Sequence, residues 1–258
     1  MTSITSRLLS FACAAAIGTA ALPLPARANP ADAALARELE SAAPRANPDA
    51  IGVATRALSC ALRSHAVEAP RTLSLIDYSL PSSQPRLWVF DVAQHRLLFQ
   101  ELVAHGRNSG GDGPATHFSN TDGSHMSSLG VYRTAGTYIG HNGYSLRLQG
   151  LDAGFNDRAL EREIVIHGAG YVSRQMASTQ GRIGRSWGCP AVRRSIAQQL
   201  IDTIRDGSLV VAYYPDKAWL DRSAFVGDCT GVEPASRSTA SAPPPDPRIA
   251  AGNGARSR

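Results

Sequence analysis

Lysine is nearly missing from this chain: Lys217 is the only one in 258 residues, and aromatic residues make up only 6%. Tyr214 stands where the serine of a Ser-x-x-Lys motif would have to be, so a serine acyl-enzyme of that kind is excluded. The paired ligand spacings His-Glu-x-x-His and Cys-x-x-Cys are also missing, which leaves a zinc site made from His167, Cys189 and another histidine as a minor alternative. There is no basic run, and 26 basic against 21 acidic residues give a net charge of +5, so neither nucleic acid nor an anionic membrane is an implied partner. No internal repeat is present, and no metal or cofactor is implied.

The one long apolar run, Leu8 to Leu22, is shorter than the roughly 20 residues that a spanning helix needs. Arg7 precedes it, and Pro23, Pro25 and Ala26-Arg27-Ala28 follow. This is the pattern of a secretory signal over residues 1–28 with a small-x-small cleavage site, so the expected location is the periplasm, without a membrane anchor. Cys13 lies inside the apolar run behind Phe11, which does not fit a lipoprotein. Removing residues 1–28 takes away Arg7 and Arg27 and no acid, so the charge falls from +5 to +3.

Residues 29–46, rich in Ala and Pro, are expected to be flexible and partly helical around Ala33–Ser41. Residues 233–258 carry Ser, Ala, Pro and Gly with Pro243-Pro244-Pro245 and are expected to be disordered. Between them, residues 47–232 form one domain. Helices are expected over Pro48–Arg63 and Arg193–Arg205. Strands are expected over Leu87–Val92, Arg96–His105, Leu129–Thr134, Ser145–Gln149, Glu163–His167 and Ser208–Tyr214, the first two joined at Ala93-Gln94-His95. The fold class is therefore α+β and β-rich. Trp88 and Phe90 read as core.

Two residues carry the chemistry. Cys189 lies between Gly188 and Pro190, just ahead of the expected helix, where the helix dipole and free amides favour a thiolate. Pro190 has no N–H, so backbone donors to a developing oxyanion must come from Trp187, Gly188 and Cys189. His167 closes the apolar run Ile164-Val165-Ile166, and the carbonyls of Gly168, Ala169 and Gly170 can hold its second ring nitrogen. A thiol with a base oriented by a third group is what nucleophilic catalysis requires. A buried structural thiol and a core histidine are the bland alternatives. The polar stretch Gly106–His125 is longer than most loops and reads as a substrate-facing flap, with His117 and His125 on it as polar loop residues. His141 and Tyr144 are candidates for the cleft wall.

HGAGYVS through GRIGRSWGCPA, together with IDYSLPSSQPRLWVFD, SSLGVYRT, GYSLRLQGLDAGFND and YYPD, resembles the murein L,D-transpeptidase catalytic domain family, in the branch related to YkuD. The resemblance covers about Asn47 to Asp216. It implies a mixed β-sandwich with an N-terminal helix and a helix after the cysteine, and a site in a cleft at the sheet edge. The commoner members carry Ser/Thr-His-Gly-Cys, whereas here Trp187 replaces that histidine in Ser186-Trp187-Gly188-Cys189. The spacing back to His167 is also longer, and no arginine stands two residues past the cysteine.

The resemblance implies acyl transfer on peptidoglycan stem peptides: Cys189 as nucleophile, His167 as base, and the amides of Gly188 and Cys189 holding the oxyanion, with Trp187 as a further backbone candidate and Gly168 to orient the histidine. Ser186, Arg185, Tyr144 and His125 are the substrate-binding candidates, and covalent inhibition by carbapenems is expected. Transfer to a second stem peptide would give a 3-3 cross-link; transfer to water would make an L,D-carboxypeptidase. A non-catalytic wall-binding module is the remaining alternative. With Cys189 as nucleophile, the odd count after signal removal leaves Cys60 and Cys229 as a disulfide.

Overall fold

The structure, a computed structural model, describes residues 29–111, 113–227 and 229. The expected signal (1–28) and tail (233–258) lie outside these. Helix α1 (Pro30–Ala42) starts where the Asn29 side chain accepts the Ala31 N–H at 3.2 Å, and α2 (Pro48–Arg63) repeats the device with Asn47 and Asp49 at 2.9 Å. In both, proline at N1 supplies a helical φ where an N–H would go unused. The segment expected to be flexible is thus helical over a longer span than Ala33–Ser41. Its Ala36 and Leu39 are buried, because α1 packs on α2 and the sheet.

The strands are β1 (Thr72–Asp77), β2 (Leu87–Asp91), β3 (Arg96–Glu101), β4 (Val103–Ala104), β5 (Gly130–Gly140), β6 (Gly143–Gly150), β7 (Val165–Ala169), β8 (Ala191–Arg193) and β9 (Leu209–Tyr213). Helix α3 (Arg174–Gln180) follows β7, α4 (Arg194–Ile204) follows β8, and α5 (Lys217–Arg222) follows β9. Among the described residues the strands form one mixed sheet in the order β3-β2-β1-β9-β5-β6-β7-β8-β4. Its two edge strands, β3 and β4, are separated only by Leu102. The sheet must therefore curl until its ends meet, which gives the expected β-rich α+β architecture its two layers. The expected strand Arg96–His105 is split at Leu102 for the same reason: β3 pairs with β2, and β4 pairs with β8 at the other end of the sheet.

Apolar faces of α1, α2, α4 and both layers share one core that includes Trp88 and Phe90. Asp152 is a polar hub inside it, 1% exposed. It accepts from the Val131 N–H at 2.8 Å, Trp219 Nε1 at 3.1 Å and Ser223 Oγ at 2.6 Å, which anchors α5 to β5. Asn156 closes the motif by accepting the Asp152 N–H at 2.9 Å, and a Cβ at Gly150 would lie 1.8 Å from the Asn156 carbonyl. Among the described residues no helix is long and apolar enough to cross a membrane.

Cys60 in α2 and Cys229 form a disulfide with Cα atoms 5.5 Å apart, 169 residues apart in sequence. Cys189 is the free cysteine among the described residues. Closing so long a loop restricts the unfolded chain by about 4 to 5 kcal/mol in the chain-entropy model. The paired substitution C60S/C229S is accordingly expected to lower the denaturation midpoint markedly. Equal midpoints for the two proteins under oxidising conditions would refute a stabilising cross-link.

Candidate active site

Side chains on β7 alternate between its two faces. Gly168 faces α4 so closely that a Cβ there would lie 2.8 Å from Ala197 Cβ and 3.2 Å from Arg194 Cα. His167 therefore points the other way, away from α4. Parallel pairing of β7 with β8 sets His167 opposite Ala191, which puts Cys189, two residues earlier, level with Val165. Val165 and His167 share a face, so sulfur and imidazole come to the same side of the sheet. Both line a cleft of about 500 Å³, with Arg162, Glu163, Tyr171 and Trp187 among its other walls.

The geometry fixes the roles of the ring nitrogens. His167 Nδ1 lies 3.3 Å from the Gly168 carbonyl, which can only accept, so Nδ1 carries the hydrogen and Nε2 keeps its lone pair. Burial holds the imidazole below the ordinary histidine range, against the opposing effect of that carbonyl bond. Cys189 Sγ contacts the Glu163 carbonyl at 3.7 Å. Burial pushes the thiol above the ordinary cysteine range; the Val165 N–H, the Arg162 charge and the N–H of Cys189 itself oppose this, while Glu163 reinforces it. Both effects favour the neutral forms, a thiol and an imidazole, over an ion pair.

The expected thiolate at a helix N-terminus is corrected here. Strand β8 intervenes between the cysteine and α4, because residues 191–193 complete the sheet beside β7. The helix itself spans nearly the expected residues, but its first turn is displaced from the sulfur.

The turn before the cysteine also departs from expectation. Gly188 adopts φ 125°, and a Cβ on it would lie 2.8 Å from the Met126 carbonyl, so glycine is needed there. Its N–H donates to Ser186 Oγ at 3.1 Å, and Ser186 Oγ donates to the Cys189 carbonyl at 2.6 Å. The Gly188 amide is therefore committed within the turn and is not a free oxyanion donor. The N–H groups of Val165 and of Cys189 itself are amides that face the sulfur. Gly184-Arg185-Ser186-Trp187-Gly188 also spells Gly-x-Ser-x-Gly, the signature of serine nucleophile elbows. Ser186 is buried and both its hydrogen bonds hold the turn, so that spelling carries no nucleophile here.

Other expected residues divide. Arg185 and His125 line the cleft, and so does His141. Tyr144 does not: its hydroxyl donates to Asp202 of α4 at 2.7 Å, because its neighbour Ser145 takes the position level with His167. His117 contacts Thr116 Oγ1 at 3.0 Å, away from the cleft wall. The long flap is laced to the cysteine turn, with Arg107 N–H donating to the Ser186 carbonyl at 2.8 Å and Ser186 N–H to the His105 carbonyl at 2.9 Å. Its far end supplies Asp122, Gly123 and His125 to the cleft.

Trp187 is 68% exposed, an unusual state for so large an apolar side chain. Its ring lies 4.9 Å from that of His125 and 5.6 Å from the Arg107 guanidinium, and Arg107 Nη2 bonds His125 Nδ1 at 2.8 Å. The indole thus joins the cysteine turn to the flap.

The family profile of the L,D-transpeptidase catalytic domain (YkuD_2) matches residues 42–213, well over half of the chain. The chain belongs to the L,D-transpeptidase catalytic domain family. No curated protein matches it. Among solved structures it is similar to an L,D-transpeptidase from Mycobacterium smegmatis, at 11% identity and a TM-score of 0.35 over 56% of this chain and 59% of that one. It is also similar to the LD transpeptidase LdtMt1 in complex with imipenem, at 12% identity and 0.33 over 55% and 59%. A third is an L,D-transpeptidase from Stackebrandtia nassauensis, at 13% identity and 0.34 over 76% and 96%. The chain spans about three-fifths of the length of the first two.

Sequence reasoning missed several members of this transpeptidase-family cleft: Arg162, Glu163, Asp122, Asn142 and Tyr171. Burial, and secondarily the Cys189 charge, pushes the Tyr171 phenol up to about 12, so it stays a donor at neutral pH. Arg162 and Glu163 sit close before His167 in sequence, but no spacing rule marks them.

Proposed function

We propose that this protein is a peptidoglycan L,D-transpeptidase acting from the periplasm through a Cys189 acyl-enzyme. One observation carries the reading: the free thiol and a histidine whose Nδ1 is fixed on a backbone carbonyl share one cleft. The Cys60–Cys229 disulfide is in keeping with an oxidising compartment.

In this mechanism the donor is a stem tetrapeptide. Cys189 Sγ attacks the carbonyl of its third residue while His167 Nε2 takes the thiol proton, so that a neutral pair becomes an imidazolium as the oxyanion forms. The N–H of Cys189 stabilises that oxyanion. Collapse breaks the bond to the terminal D-alanine, whose amine leaves with the proton held by His167. An amine of a second stem then attacks the thioester, releasing the thiol and forming a 3-3 cross-link. Attack by water instead gives the L,D-carboxypeptidase outcome.

Mass analysis of products from purified disaccharide-tetrapeptides tests this directly. Cross-linked dimers support transfer; tripeptides alone would replace it by hydrolysis; unchanged substrate would refute the enzyme reading.

A neutral resting pair also fixes the pH dependence. Because His167 must be unprotonated to act as base and its ionisation lies below the ordinary value of about 6.5, kcat/KM should hold down to mildly acidic pH and fall only below that value. Alkylation of Cys189 by iodoacetamide, which consumes the thiolate, should instead have its midpoint above about 8.5. An alkylation midpoint well below that value would indicate a standing ion pair and overturn the assignment.

A further inference from the structure

We propose that Arg162 is a positioning residue of this active site: it pins the loop against which the Gly188 turn is built and fixes a positive charge beside the Cys189 sulfur. The inference rests on Cys189 being the nucleophile.

Arg162 reaches across from the turn before β7 to the end of the flap. Nη1 donates to the Ser119 carbonyl at 2.7 Å and to Ser128 Oγ at 2.5 Å; Nη2 donates to the Met126 carbonyl at 2.8 Å and to Ser124 Oγ at 3.2 Å. One side chain thus ties four positions of a ten-residue stretch, and its buried Nε makes no bond of its own. That stretch is what the cysteine turn leans on. The Met126 carbonyl is the atom that excludes a side chain at Gly188, and Ser127 Oγ donates to the Gly188 carbonyl at 3.0 Å. From guanidinium to nucleophile the chain of contacts is therefore Arg162, Met126 and Ser127, Gly188, Cys189.

The same guanidinium lines the cleft with the thiol. Its charge favours the thiolate, and a thiolate in turn favours the charged guanidinium. Glu163 opposes a negative sulfur, a thiolate in turn disfavours ionisation of Tyr78, Tyr138 and Tyr171, and Tyr132, Asp122 and Arg158 act on Arg162. Arg162 is the cation in this set that opposes the burial of a developing negative sulfur. Lysine cannot replace it fully. A planar fork of five donors spans four acceptors at fixed angles, whereas one ammonium carries charge but offers three donors from a single point.

The two roles separate in R162K and R162Q, each compared with the wild type by iodoacetamide alkylation of Cys189 against pH and by turnover of disaccharide-tetrapeptides. R162Q should raise the alkylation midpoint by about one pH unit, so that labelling below the midpoint slows about tenfold, as expected for loss of a nearby opposite charge. R162K should keep the midpoint near wild type and still lose turnover about tenfold or more, because the loop is no longer held. An R162Q midpoint equal to wild type overturns the electrostatic role, and R162K turnover equal to wild type overturns the positioning role. If R162Q does not fold, as judged by circular dichroism, R162K and R162M are read in its place under the same criteria. C189A is run alongside: turnover surviving in C189A is a failure of the nucleophile assignment itself, whereas inactive C189A with unaffected Arg162 variants is a failure of this inference alone.

Discussion

Cys189→Ala is expected to reduce turnover of tetrapeptide muropeptides to background, with the fold intact. Without the sulfur no acyl-enzyme forms, and no other nucleophile stands in its place, since Ser186 is buried and bonded into the turn. The fold should tolerate the change. Cys189 is only partly buried, lies outside the disulfide, and its sulfur contacts the Glu163 carbonyl at 3.7 Å. The same substitution should abolish a carbapenem adduct. A strained lactam carbonyl is an electrophile that a thiol with a neighbouring base can open, so intact mass should rise by one drug molecule in the wild type and by none in the variant. Trp187 adds a control. An indole braced by His125 and Arg107 lines the same cleft as the sulfur, so absence of an adduct together with normal muropeptide turnover would place the fault in pocket shape. Full turnover in Cys189→Ala would sink the mechanism outright.

His167→Gln should lower kcat by about 10²- to 10⁴-fold, the contribution of a positioned general base. The loss should be large here because the thiol rests protonated: burial disfavours its ionisation, and a base must remove the proton as the bond forms. In a site with a standing thiolate the same substitution would cost less in the first step. Glutamine keeps a donor for the Gly168 carbonyl and roughly the volume of the ring, so stability should change little, and a thermal melt reports this separately. A near-normal kcat in a folded His167→Gln would remove His167 from the chemistry. The pH profile gives a second check, because the acid limb belonging to the imidazole should vanish with it.

Much of this molecule is legible in its sequence for local reasons. Pro48–Arg63 is read correctly as a helix because Asn47, Pro48 and the apolar spacing act within one segment. The run ending at His167 and the Gly-Cys-Pro turn are equally local, and with Cys189 set aside the described cysteines Cys60 and Cys229 form the disulfide. Local patterns thus mark the nucleophile and base candidates, and they anticipate the disulfide and the β-rich α+β class. Tertiary structure decided the rest, because it depends on pairing between distant segments. The parallel register of β7 with β8 brings Cys189 level with Val165 and puts a strand where a helix N-terminus was expected, so burial prevails over the dipole and the thiol rests neutral. Curling of the sheet splits Arg96–His105 between its two edges. The Gly188 amide is taken by Ser186, Tyr144 faces α4, and Arg162 reaches the flap some 40 residues earlier in the chain. None of these has a periodicity or motif, since each is set by which surfaces meet once the core has closed.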